Sequence, residues 1–126
     1  MTGGWRSARF LTLTATRLTA VSAFVVVACL ALTSPGQAME VIPWDKAAHA
    51  LAFYALTLLS VAAAPRAPIW IIVVGLMVFG AGIEAAQGFT GRDADWRDLA
   101  ADAAGVLAAL APLCLRRTRD WMAGRD

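Results

Sequence analysis

Histidine occurs once in 126 residues, as His49, and cysteine twice, as Cys29 and Cys114. A single histidine excludes paired imidazole ligands and the HExxH zinc motif, and no CxxC or Cys/His spacing exists. Both cysteines are expected to be small buried hydrophobes. Charge is scarce as well: 16% of residues are Asp, Glu, Lys or Arg, and the net charge is +2. So small a surplus gives no electrostatic footprint for nucleic acid, and the arginines fall at chain ends and loops instead of along one stripe. What remains is apolar, 60% of the chain. A soluble domain of this size cannot enclose that much apolar surface in one core, so a membrane protein is expected.

Four apolar segments, roughly 18–34, 46–64, 69–87 and 99–115, are candidate membrane helices, since spanning takes about 20 residues. Asp102 interrupts the fourth, which is therefore expected to be enclosed by its neighbours. Its alanines and Gly105 would let helices approach closely, and Gly75, Gly80 and Gly82 on the third could do so within the chain, the default, or between chains. The first segment also has a signal-peptide layout, with arginines before it and Gly36-Gln37-Ala38 after it. Its length favours an uncleaved helix.

The positive residues sort onto two faces. Arg6, Arg9, Arg17, Arg66, Arg116, Arg117, Arg119 and Arg125 fall on one; Lys46, Arg92 and Arg97 fall on the other. The positive-inside rule then puts both termini in the cytoplasm. Trp5, Trp70 and Trp121 fall at the inner boundary, and Trp44 and Trp96 at the outer one, as an aromatic belt would. The expected fold is an all-α integral membrane bundle of four transmembrane helices. Residues 1–17 form a cytoplasmic N-terminal segment, 18–115 the membrane domain and 116–126 a cytoplasmic basic tail.

The polar residues converge. Pro65-Arg66-Ala67-Pro68 joins segments two and three as a short hairpin, so depth can be counted from it. His49 and Glu84 both lie about 26 Å from that turn, and Lys46 is level with Gln87. Counted from Arg116, Asp98 lies about 27 Å out and Asp102 about 21 Å out. Asp45, His49 and Phe53 make one stripe, Glu84 and Gln87 a second, Asp98, Asp102 and Gly105 a third. Ionisable groups on spanning helices face the bundle interior or a wet cavity, so the three stripes are expected to face one another. The loop before the fourth helix adds Arg92, Asp93, Asp95 and Arg97. Asp95 is the expected N-cap, with Asp98 favouring the positive end of the helix dipole.

The order Asp45-Lys46-x-x-His49-x-x-x-Phe53, Glu84-x-x-Gln87, Arg92, Asp98-Leu99-x-x-Asp102-x-x-Gly105 resembles the VanZ-like membrane protein family, over about residues 40 to 115. That family is named for a protein of glycopeptide-resistance clusters associated with teicoplanin resistance. Its pattern usually has Asn where this chain has Asp102, so the local electrostatics differ. The resemblance implies a four-helix protein of the bacterial inner membrane, without implying a particular reaction.

Three readings of the layer stand side by side. The polar groups could hydrogen-bond across helices and only fix their register. They could instead recognise an envelope lipid, a cell-wall precursor or a glycopeptide, since acids outnumber bases there. The third reading is enzymatic: His49 with nearby carboxylates could do acid–base work or hold a divalent metal. No nucleophile lies near, because Ser60 is deep in the other half, and the sequence favours a non-enzyme. Four short helices also leave little room for a transporter's alternating gates. The expected site is His49, Glu84, Asp98 and Arg92, then Asp45, Lys46, Gln87 and Asp102. No cofactor or metal is called for, and the bilayer is the first partner. Oligomeric state stays open.

Overall fold

The computed structural model describes residues 3–33, 45–89 and 95–122, with side chains described for 7–33, 46–89 and 95–115. Four helices account for nearly all of them: α1 Gly3–Leu32, α2 Asp45–Ala63, α3 Ile69–Phe89 and α4 Trp96–Met122. No strand occurs among the described residues. Each helix is long and apolar enough to cross a membrane, and four such helices suggest a multi-pass membrane protein. Two helices outrun their apolar segments. α1 begins well before residue 18 and α4 continues past residue 115. Hydropathy marks the apolar stretch, whereas a helix continues wherever backbone hydrogen bonds can.

Proline sets the turn between α2 and α3. The residue before a proline is pushed out of the helical region, and α2 ends at Ala63, just short of Ala64-Pro65. The Ala67 N–H donates to the Ala64 carbonyl at 2.9 Å, and the Ile71 N–H donates to the Pro68 carbonyl at 3.0 Å, opening α3. At the other end of the bundle Asp95 starts α4. Its Oδ1 accepts the Arg97 N–H at 2.9 Å, and its carbonyl accepts the Asp98 N–H at 2.8 Å. That is the expected N-cap.

α2 and α4 form the most extensive helix pair. Among the described residues α1 packs on α2 and α3 but not on α4. α4 is the most enclosed helix and α1 the least, with 33% against 6% of their most apolar windows buried. The core is Phe53, Leu56, Ile72, Leu76, Val106 and Leu110. Phe79 joins α1 to it, edge-on to Phe24 at 4.9 Å between centroids and tilted against Phe53 at 6.1 Å. Large apolar residues such as Phe10, Leu30, Val78 and Leu107 point outward. A bilayer accommodates them, because its hydrocarbon is as apolar as leucine.

Two glycines explain the tight packing. A Cβ on Gly105 would strike the Ala50 carbonyl oxygen of α2 and lie 2.9 Å from its carbon. A Cβ on Gly80 would lie 2.8 Å from Asp102 Oδ2 and 3.1 Å from Phe53 Cζ. Gly75 and Gly82 face open space, contrary to the default expectation of packing within the chain. They stand seven residues apart and share a face, whereas Gly80 lies on another. The cysteines also differ from expectation, both being exposed. They sit on outward faces of α1 and α4, where a small apolar side chain in lipid needs no protein cover.

Candidate functional site: a polar cluster between three helices

The polar stripes meet at the end of the bundle away from the α2–α3 turn. Lys46, in the first turn of α2, donates from Nζ to Asp95 Oδ2 and to Asp98 Oδ1, both at 3.0 Å. One turn along, His49 Nδ1 lies 2.9 Å from Asp102 Oδ1, and its Nε2 lies 3.9 Å from Asp98 Oδ2. Asp98 thus sits between the ammonium and the imidazole. The i, i+3 spacing of Lys46 and His49 on α2 meets the i, i+4 spacing of Asp98 and Asp102 on α4, so two pairs form in register.

Asp98 and Asp102 are buried, Asp102 to 1% exposure. Their enclosure depends on small neighbours. Gly105 lets α4 lie against α2, and Gly80 leaves the space that Asp102 occupies. An ionised Asp102 can only accept, so the imidazole then carries its proton on Nδ1. Two turns further along α2, Thr57 is fully buried and donates to the Phe53 carbonyl at 2.6 Å.

α3 contributes Glu84, whose Oε2 accepts the Asp95 N–H at 3.1 Å. Its Oε1 is buried and has no hydrogen-bond partner among the described residues. Gln87, expected on the same stripe, turns instead to α1. Its Nε2 donates to the Ala31 carbonyl at 2.9 Å, answering one of the orphan carbonyls of that helix's last turn. Three residues advance a helix by 60° short of a full turn, and α3 has α4 on one side and α1 on another. The two polar residues divide between them.

Asp95, expected as the N-cap and as one of the acids of the outer layer, also bridges to α2. Its cap occupies one carboxylate oxygen, and the other holds Lys46. The Arg97 N–H first, then the Lys46 ammonium, keep the Asp95 carboxyl below the usual carboxylate range. Arg97 itself stacks over Trp96, 6.0 Å from the ring. Of the other expected site residues, Asp45 begins α2 but its side chain lies outside the described set, and Arg92 and Asp93 lie outside it altogether. So do Trp44, the 36–38 stretch and the side chains of Trp5 and Trp121.

Chemically, the cluster places the carboxyls of Glu84, Asp95, Asp98 and Asp102 against one ammonium and one imidazole. Among the described residues the carboxyls of the cluster outnumber its cationic groups. Among the described residues no group of three or more His, Cys, Asp or Glu is placed to hold a metal ion. Comparison of the chain with protein families, with curated proteins and with solved structures finds no match.

Proposed function

We propose that the chain is a VanZ-like multi-pass protein of the bacterial cytoplasmic membrane, with both termini in the cytoplasm and its polar cluster facing the envelope. In this reading the cluster recognises an amine-bearing or otherwise hydrogen-donating group. The group belongs to an envelope lipid, a cell-wall precursor or a glycopeptide, and the result is lower susceptibility to antibiotics of the teicoplanin type. The observation that carries it is the buried Glu84 Oε1, which has no hydrogen-bond partner among the described residues, in a layer whose described carboxyls outnumber its described cations. A buried acceptor without a donor costs about 1–3 kcal/mol, and a ligand's N–H would offset it. The resemblance of residues 40 to 115 to the VanZ-like pattern supports the cellular role. The contacts of α1 with α2 and α3 support its retention as an uncleaved helix.

The test is teicoplanin susceptibility of cells carrying wild type, Glu84→Gln, His49→Ala or empty vector, with membrane abundance measured alongside. Wild type should protect, and Glu84→Gln should abolish protection at unchanged abundance. No difference between any strain and empty vector would remove the resistance reading.

A second reading is favoured by the 2.9 Å pair of His49 and Asp102 and by the Lys46 bridge: the cluster locks α2 to α4 and does nothing more. Such contacts contribute about 0.6 kcal/mol each in a membrane. Under this reading Glu84→Gln and His49→Ala lower abundance and protection in proportion.

A further inference from the structure

The opposite end of the bundle carries a second feature, independent of the polar cluster. A cavity of about 330 Å³ opens where α1 passes the α2–α3 turn, lined by Leu13, Arg17, Ala64, Pro65, Arg66 and Ala67. Two arginines from different elements border it. Arg17 donates from Nε to the Ala63 carbonyl at 3.1 Å, which fixes its guanidinium at the end of α2 and leaves the two terminal amino groups of the fork for another acceptor. Two carbonyls beside the recess each accept a hydrogen bond, Ala63 from Arg17 and Ala64 from the Ala67 N–H.

Acid is scarce at this end. Residues 1–39 and 46–83 contain no Asp or Glu, and the tail's Asp120 and Asp126 are the only acids that sequence puts near it. Among the described residues no carboxylate pairs with Arg17 or Arg66. Trp70, in the first turn of α3, is largely exposed and marks the headgroup level of a bilayer. A two-arginine recess at that level, flanked by Leu13, matches an anionic headgroup above acyl chains.

We infer that the Arg17–Arg66 recess binds the phosphate of an anionic phospholipid, as a site separate from the His49 cluster. It holds in either orientation of the chain, because it depends only on the recess lying at a membrane face.

The experiment is native mass spectrometry of the full chain in detergent, titrated with phosphatidylglycerol or phosphatidylcholine. Phosphatidylglycerol should bind more tightly. Arg17→Gln and Arg66→Gln should each weaken it about fivefold and the pair about thirtyfold, as expected for about 1 kcal/mol per arginine at a membrane face. Arg97→Gln, at the far end, should leave binding unchanged. Arg66→Gln alters an exposed turn residue and so reports binding even if Arg17→Gln disturbs folding. Arg17→Lys with Arg66→Lys should retain the preference for phosphatidylglycerol. Equal binding of the two lipids would overturn the inference, and so would unchanged binding in Arg66→Gln. Displacement of phosphatidylglycerol by millimolar inorganic phosphate would assign the recess to a soluble anion and overturn the lipid assignment.

Discussion

Asp95 divides its two carboxylate oxygens between a local and a distant partner, Arg97 N–H and Lys46 Nζ. Both favour its ionised form, so its folded-state pKa lies below the unfolded one. A carboxyl of that kind stabilises fully above its unfolded value and loses the contribution as pH falls through its folded value. Thermal stability in detergent should therefore drop in wild type as pH is taken below about 3.8, the ordinary value for this group. Asp95→Asn keeps an oxygen for the cap but has no charge to lose, so its acid drop should be smaller. Identical drops in the two proteins would contradict the assignment. The partnership with Lys46 was not legible in the sequence. Forty-nine residues separate the pair, and only the packing of α2 on α4 brings them together.

Between elements, the decisive contact is the crossing of α2 and α4. Gly105 is the position at which the α4 backbone reaches the Ala50 carbonyl. Gly105→Ala should cost about 1–3 kcal/mol of unfolding free energy in mixed micelles, the usual range for overpacking. Gly75→Ala, which meets nothing, should be neutral or gain up to about 1 kcal/mol from helix propensity. Equal effects of the two substitutions would show that the crossing is looser than described. Much of this element-level picture was legible, because hydrocarbon forces ionisable groups inward. His49, Asp98, Asp102 and Gly105 could be assigned to facing stripes from spacing alone. That rule is silent on which inward neighbour a polar residue meets. Gln87 consequently went to α1 when spacing had put it with Glu84. Glycine content is equally silent on direction, so Gly75 and Gly82 read like Gly80 although only Gly80 touches another helix.

At the scale of the whole molecule, charge and polarity are divided between two ends. One end gathers Lys46, His49, Glu84, Asp95, Asp98 and Asp102, and the other presents Arg17 and Arg66 with no carboxylate paired to them among the described residues. The proposed function requires the acidic end to face the envelope. The distribution of arginines supports that orientation through the positive-inside rule. Labelling with a membrane-impermeant maleimide tests it most directly. The background is a chain in which Cys29 and Cys114 are replaced by alanine, with a single cysteine introduced by Arg97→Cys or Arg66→Cys. Both positions are exposed, and they lie at opposite ends of the bundle. In intact cells Arg97→Cys should be labelled at once and Arg66→Cys only after permeabilisation. The reverse pattern would place the polar cluster in the cytoplasm and contradict the account.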